Sequence, residues 1–273
     1  MEVYVLLLLC GGLSGFLAGM LGIGGGFVVV PVLLFVLPML AIDPALIPTV
    51  AVATSLAAMV PTSLSAVLAQ HRRKTLRVEW VRLLAPGVAL GSAMGAKLAA
   101  NVNGAWITTI FAAYASFFAL RMMRQSALAA APSGVRGVRS PIVDALPQWS
   151  IGMLIGSFSA IAGVGGASLV VPYLLYREAE MRQASAASSA VGLVISLVGT
   201  AGFSMAPTTT AAAHGGLIGY VCWPAALAIG LSAIVAAPFG VSIAHVVPVQ
   251  RLKQAFALVL IVVAALALVK AMS

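Results

Sequence analysis

The sequence predicts an all-α, polytopic membrane protein made of two inverted repeats, each a glycine-broken helical hairpin followed by three transmembrane helices. Three observations support this fold class. Of the 273 residues, 62% are hydrophobic and only 8% are charged, whereas soluble domains carry about 25% charged residues. A glycine-rich motif occurs once in each half of the chain. The loops of the two halves carry opposite charge preferences, which reverses their orientation across a membrane.

Apolar segments follow one another along the chain, and most approach the length of about 20 residues that a membrane-spanning helix needs. Residues 124–147 interrupt them with a Pro-, Gly- and Arg-containing stretch typical of a linker. The chain therefore divides into an N-terminal repeat (1–123), a cytoplasmic linker (124–147) and a C-terminal repeat (148–273). The predicted segments are 3–23, 26–41, 46–69, 83–100, 104–123, 149–163, 167–176, 184–205, 217–240 and 254–271.

The repeated motif reads GIGGGFVVVP from Gly22 to Pro31 and GVGGASLVVP from Gly163 to Pro172. Hydrocarbon cannot hydrogen-bond exposed peptide groups, so irregular backbone at membrane depth is tolerated only where protein buries it or where it lines a cavity. A matched pair of such breaks, one in each half, indicates the binding site of a repeat-built transporter. The alternative is that the glycines only allow helices to pack closely.

Loop charge predicts how the two halves are oriented. Short cytoplasmic loops carry an excess of Lys and Arg; loop 70–82 contains five such residues and its counterpart 206–216 contains none. In the remaining pairs the basic loop belongs to the second half: 177–183 against 42–47, and 246–253 against 101–103. We therefore expect inverted repeats, a cytoplasmic linker and both termini outside.

The two segments around the second motif, 149–163 and 167–176, are short for full spans. Because the linker and loop 177–183 are both predicted to be cytoplasmic, these segments have to enter the membrane and return to the same side. We expect a hairpin or re-entrant pair there, and an equivalent pair entering from the opposite face in the first half. The two glycine breaks would then meet near the membrane midplane.

Each glycine motif leads into an apolar helix, whose first amides lack an intrahelical acceptor and carry the positive end of the helix dipole. Two such helix starts facing each other would bind an anion without any formal charge. Hydroxyls of the third and eighth segments could add donors, although such hydroxyls often bond a carbonyl one turn earlier. The predicted substrate-binding residues are Gly24, Gly25, Gly26, Thr54, Ser55, Gly165, Gly166, Ala167, Ser168, Ser188 and Ser189.

Lys97 is the cation that lies clearly within an apolar segment. It could attract the anion, or its side chain could extend to the outer interface. No Asp or Glu lies deep in any segment, and no arrangement of His, Cys or acidic residues matches a catalytic or metal site. We therefore expect no enzymatic activity, no catalytic residue, no metal and no cofactor.

The net charge of +9 does not indicate a nucleic-acid partner, because the basic residues lie in short loops, where they orient a membrane protein. The expected partners are the lipid bilayer and a small anionic substrate. The sequence leaves the oligomeric state open.

Two stretches resemble the sulfite exporter TauE/SafE family: Gly19–Pro31 and Ala162–Pro172. The resemblance extends over essentially the whole chain, including Thr54, Ser55 and the glycines at positions 87, 91 and 95. It implies a multi-pass protein of a bacterial or archaeal inner membrane. Family members are linked to the export of sulfite or organosulfonates, and others to transport of sulfur compounds in either direction.

The function that these features favour is secondary transport. We expect export of a small sulfur-containing anion, with sulfite as the first candidate, across the inner membrane by alternating access of inverted halves. The alternatives are an anion channel, a transporter of organosulfonates or of another small anion, and a membrane-embedded enzyme or accessory subunit.

Overall fold

The computed structural model describes residues 2–21, 25–40, 42–128, 147–207 and 216–244. Most of them are helical. The helices are α1 (Glu2–Leu21), α2 (Gly26–Val36), α3 (Ile47–Arg72), α4 (Val78–Asn101), α5 (Gly104–Leu128), α6 (Gln148–Ala162), α7 (Ala167–Tyr176), α8 (Met181–Met205) and α9 (Trp223–Ala244). A 3-10 turn, Leu37–Leu40, extends α2, and two short strands, β1 (Leu217–Ile218) and β2 (Val221–Cys222), precede α9.

Five of the helices in the described part are long and apolar enough to cross a membrane, namely α1, α3, α4, α8 and α9. The prediction of a helical, multi-pass membrane protein is therefore confirmed. The predicted segment 254–271 and residues 129–146 of the linker lie outside the described residues. Helix α5 continues through Leu128, beyond the predicted start of the linker at residue 124.

The two short helices begin in the same way. In α2 the N–H groups of Val28 and Val29 both donate to the carbonyl of Gly25, and in α7 those of Leu169 and Val170 both donate to the carbonyl of Gly166. No side chain caps either helix. The last glycine before each helix thus forms its first turn and leaves the first amides without a capping group.

Helix α6 ends because Gly163 adopts a left-handed conformation with φ +64°, which glycine tolerates at no steric cost. Its N–H donates to Ala160 O, and that of Val164 donates to Ser159 O. Such a left-handed C-terminal turn stops the helix and redirects the chain toward α7.

The helices pack in pairs that join the two halves of the chain. The most extensive contacts join α1 to α9 and α4 to α6, while α3 and α8 contact each other at the centre. Helix α3 also packs on α9, and α8 also packs on α4. Exchanging the helices of the first half for their counterparts in the second half leaves this set of contacts unchanged.

The glycines define the relative direction of the paired helices. Gly11, Gly15 and Gly19 approach, in that order, Ile229, Ala233 and Ala237, so α1 runs parallel to α9. In the other pair, parallel packing of α4 and α6 follows from the approach of positions 87, 91 and 95 to positions 149, 153 and 157.

Side-chain contacts give the direction of α3. Ser65 Oγ donates to Ile234 O and Arg73 Nη2 donates to Ser242 Oγ, both at 2.9 Å, so α3 runs parallel to α9. Between α3 and α8 the residue numbers run in opposite directions, because position 192 of α8 faces position 63 of α3 and position 199 faces position 56. Helices α3 and α8 are therefore antiparallel.

The start of the predicted segment 217–240 is not helical, and this is a correction. Residues 217–222 form a two-stranded hairpin in which Leu217 pairs with Cys222 and Ile218 with Val221. Gly219 has φ +59°, a conformation that turns the chain and that helices exclude. The hairpin is held at both ends, since Tyr220 N–H donates to Phe203 O at 3.1 Å and Cys222 N–H donates to Thr54 Oγ1 at 3.0 Å.

Because α1 and α9 are in backbone contact, we expect alanine substitutions at two nearby glycines of α1 to have different effects on stability. A Cβ at Gly15 would lie 2.5 Å from Ala233 O, whereas a Cβ at Gly12 would meet no atom within 4 Å. Overpacking of this kind typically costs about 1–3 kcal/mol, while an unhindered Gly→Ala change in a helix is favourable by about 0.5–1 kcal/mol. We expect Gly15→Ala to lower the melting temperature of the purified protein and Gly12→Ala to preserve or raise it. Equal melting temperatures would contradict the close packing.

The hydrogen bond from Cys222 N–H to Thr54 Oγ1 predicts that the hairpin at 217–222 depends on the Thr54 hydroxyl. Thr54→Val removes the hydrogen bond from Cys222 N–H to Thr54 Oγ1, and loss of one partner of a buried hydrogen bond costs about 1–3 kcal/mol, whereas Thr54→Ser keeps the hydroxyl. We expect Thr54→Val to lower the melting temperature and to accelerate maleimide labelling of Cys222, which is fully buried, in a Cys10→Ala background. Labelling at the same rate in both variants would show that the hairpin does not depend on this bond.

Candidate functional site

The two glycine breaks lie against each other. A Cβ at Gly26, the first residue of α2, would lie 2.2 Å from Gly163 O and 2.9 Å from Val164 Cα. All three residues are buried. The start of α2 thus touches the turn that leads into α7, and the two motifs from distant parts of the sequence form one junction.

Ser55 fixes this junction from α3. Its hydroxyl lies 2.7 Å from Val52 O and 2.9 Å from Gly163 O, and it donates toward both. A Cβ at Gly163 would lie 2.8 Å from Ser55 Oγ and 3.0 Å from Val52 Cα, so the second break rests directly on α3. In this conformation the Ser55 hydroxyl is therefore hydrogen-bonded to backbone carbonyls of the protein.

The glycines that precede each helix occupy buried, closely packed positions. A Cβ at Gly25 would lie 2.6 Å from Ser14 Cβ of α1, and one at Gly166 would lie 2.6 Å from Ile195 Cδ1 of α8. Gly165 is also buried, and neither its N–H nor that of Gly166 donates to a backbone carbonyl within the described ranges. Gly24 and the side chain of Ala167 lie outside the described residues, although the backbone of Ala167 begins α7.

Tyr114 of α5 connects the two breaks, and sequence reasoning missed it. Its ring stacks on Phe27, with centroids 5.7 Å apart and an interplanar angle of 11°, and its hydroxyl is hydrogen-bonded to Ser168 Oγ. Phe27 and Ser168 occupy equivalent positions in the two motifs. Tyr114 could have been identified from the sequence by its position in an apolar segment, because a buried tyrosine hydroxyl requires a hydrogen-bond partner.

The remaining hydroxyl candidates have different surroundings. Thr54 Oγ1 accepts a hydrogen bond from the hairpin amide of Cys222. Ser189 Oγ donates to Ser185 O, one turn earlier in α8, at 3.1 Å. Ser188 is fully buried in the same helix. The structure therefore brings Ser55 and Ser168 to the glycine junction through named contacts, while Thr54 holds the hairpin.

Lys97 and the acidic residues of the described part lie near helix ends or between helices. Lys97 is exposed on the last turns of α4, which ends at Asn101. Within the described ranges, the acidic residues lie in first helical turns or between helices: Glu2, Asp43, Glu79, Glu178 and Glu180. Also within those ranges, no cluster of three or more His, Cys, Asp or Glu residues could hold a metal ion. The chemistry of the junction therefore consists of amide and hydroxyl dipoles.

Comparisons with known proteins agree with the fold. The family model described as "Sulfite exporter TauE/SafE" matches residues 7–267. A probable membrane transporter protein of Haemophilus influenzae is 31% identical over 267 residues, which cover 97% of this chain and 98% of that protein. The probable membrane transporter protein YunE of Bacillus subtilis is 26% identical over 183 residues, 63% of this chain and 67% of that protein. No solved structure gives a significant match. Because the family model matches nearly its whole length, this chain belongs to the sulfite exporter TauE/SafE family of membrane transporters.

Proposed function

We propose that this membrane transporter is a secondary transporter, not an enzyme, that exports a small sulfur-containing anion across the inner membrane by alternating access. Sulfite is the first candidate, in line with the description of the family model. The observation that carries the proposal is the contact of Gly26 with Gly163 and Val164. This contact supports a shared site, because the uncapped start of α2 lies against the buried turn that leads to the uncapped start of α7, and broken membrane helices commonly form substrate sites.

The directions of the helices support a two-fold inverted arrangement. Helices α1, α3 and α9 run in one direction through their parallel contacts, and α8 runs against α3. Helix α4 returns from α3 after a short loop and runs parallel to α6. The counterparts α1 and α6, α3 and α8, and α4 and α9 thus have opposite directions, as inverted repeats require.

The composition of the junction supports an anionic substrate. The first amides of a helix attract negative charge through their unsatisfied N–H groups and through the helix dipole. The acidic residues of the described part lie away from this layer, at helix starts and in loops. A cation or a zwitterion would meet the positive ends of two helices without a compensating carboxylate, so an oxyanion fits this site better.

Burial of the junction supports alternating access. Gly26, Ser55, Gly163 and Ser168 are all buried, so an anion can reach them only when the surrounding helices separate. In transporters of inverted repeats, one group of helices rocks against another around a fixed central site. We place the linker in the cytoplasm and both termini outside, on the basis of the basic loops.

Transport itself is the first test. We expect proteoliposomes containing the purified protein to show saturable efflux of labelled sulfite and accelerated exchange when unlabelled sulfite is present on the opposite side. An anion channel would conduct sulfite without such exchange. Absence of sulfite and sulfonate movement in vesicles that contain folded protein would overturn the proposed function.

The junction can be tested with a matched pair of glycine variants. Gly26→Ala places a Cβ 2.2 Å from Gly163 O, which is backbone and cannot move aside, whereas a Cβ at Gly12 would meet no atom within 4 Å. We expect Gly26→Ala to abolish sulfite exchange while the protein still inserts, and Gly12→Ala to transport like the wild type. Normal exchange by Gly26→Ala would mean that the contact between the breaks is not required.

Topology provides a further test. In a background lacking Cys10 and Cys222, we expect Val102→Cys to react with an impermeant maleimide in intact cells and Arg73→Cys to be protected. Both should react after the membrane is permeabilised, which controls for accessibility. The reverse pattern in intact cells would contradict the orientation predicted from loop charge.

A further inference from the structure

We propose that Tyr114, Ser159 and Ser168 form the oxyanion subsite of the transporter, at the start of α7. This inference rests on the proposed function and deepens it, because it assigns the donors that contact the anion, one hydroxyl from the first half of the chain and two from the second. Tyr114 and Ser159 belong to neither glycine motif.

Three helices bring these hydroxyls together. Tyr114 lies on α5, Ser159 on α6 and Ser168 on the first turn of α7. The phenol of Tyr114 is hydrogen-bonded to Ser168 Oγ, and the hydroxyl of Ser159 faces the same phenol. Ser159 and Ser168 are 0% and 4% exposed, so these two serines are shielded from solvent, while Tyr114 is partly buried.

Ser159 supplies the observation that points to a ligand. Its side chain is fully buried, yet within the described part of the chain its Oγ makes no hydrogen bond of ordinary length and angle. Buried hydroxyls are nearly always satisfied, and leaving one unpaired is costly. A bound oxyanion would accept a hydrogen bond from Ser159 and would remove this cost.

The backbone adds donors to the same place. Ser168 lies in the first turn of α7, which has no side-chain cap, so its N–H and that of Gly166 belong to the unsatisfied set at a helix start. The positive end of the helix dipole favours negative charge there. Several neutral donors converging from different directions suit an ion with several oxygen atoms, such as sulfite, better than a halide ion.

The first glycine motif supplies shape and no hydroxyl. Phe27 occupies the position equivalent to Ser168, and its ring packs against the ring of Tyr114 as well as near Phe111 and Phe118. Those contacts hold the phenol in place from one side while Ser159 and Ser168 approach its hydroxyl. The subsite is therefore asymmetric, although the helices around it obey a two-fold pattern.

Binding of sodium sulfite to the purified protein tests this assignment. We expect Tyr114→Phe, Ser159→Ala and Ser168→Ala each to weaken sulfite affinity about ten-fold or more, the usual effect of losing a hydrogen bond to a charged group. Affinity can be measured from the dependence of melting temperature on sulfite concentration. Matched controls are Tyr220→Phe and Ser196→Ala, whose hydroxyls bond Ala100 O and Leu193 O. These controls should bind sulfite like the wild type.

Ser159→Ala separates a ligand contact from a structural role. Because it removes an unpaired buried hydroxyl, we expect the ligand-free protein to be as stable as the wild type or more stable, while its sulfite affinity falls. This variant also keeps the proposal testable if Tyr114→Phe does not fold. Wild-type affinity in Ser159→Ala, or equal losses in the two control variants, would overturn the subsite.

The test distinguishes the subsite from the transport function. If the folded wild type shows no stabilisation by sulfite, sulfate or sulfonates and moves none of them in vesicles, the proposed function fails. If the wild type binds and transports sulfite while all three subsite variants retain its affinity, the function stands and the subsite assignment is wrong.

Discussion

The rest of the structure depends on how two interrupted helices bury their exposed backbone inside a membrane. Peptide groups left open in hydrocarbon are strongly disfavoured, and at the second break the N–H groups of Gly165 and Gly166 have no backbone acceptor within the described residues. The structure places one break on the other: Gly26 packs on Gly163, and Ser55 donates to the carbonyl of Gly163. This solution requires residues without a Cβ at the contact, which explains glycine at both positions. It also leaves the first amides of α7 close to the hydroxyls of Tyr114 and Ser168, so the constraint that closes the fold also creates a polar layer.

The framework around this junction limits how it can open. Helices α1 and α9 touch through Gly11, Gly15 and Gly19, and α4 and α6 touch in the same parallel manner, with backbone in direct contact. In a membrane, close packing of this kind supplies much of the association between helices. A movement that separated either pair would lose all of it at once. Under the alternating access that we propose, the moving units would therefore be the pairs α1–α9 and α4–α6, each containing one helix from each half. The contact between α3 and α8 then lies between those units.

Much of the fold could be predicted because hydropathy and glycine report directly on the membrane environment. The segment order and both helix breaks follow from these two signals. The hairpin at 217–222 could not be predicted in this way, since a short apolar strand and an apolar helix have the same hydropathy. The contact between the two breaks could be predicted, but the surroundings of its hydroxyls only in part. Thr54 and Ser55 are adjacent in sequence, but neighbouring residues on a helix point about 100° apart, so Ser55 reaches the second break and Thr54 reaches the hairpin. Tyr114 and Ser159 were missed because their position depends on packing of α5 and α6.

At the junction, two related motifs have different surroundings. Phe27 and Ser168 occupy equivalent positions in the two motifs, and both contact Tyr114. Two serines at these positions would present two competing donors and two buried hydroxyls to be satisfied, whereas two phenylalanines would remove the hydroxyl to which the phenol is hydrogen-bonded. One ring and one hydroxyl satisfy both faces of a single tyrosine, since the ring packs on its apolar surface and the hydroxyl bonds its polar edge. Asymmetry at the centre therefore follows from placing one amphipathic side chain between two equivalent positions.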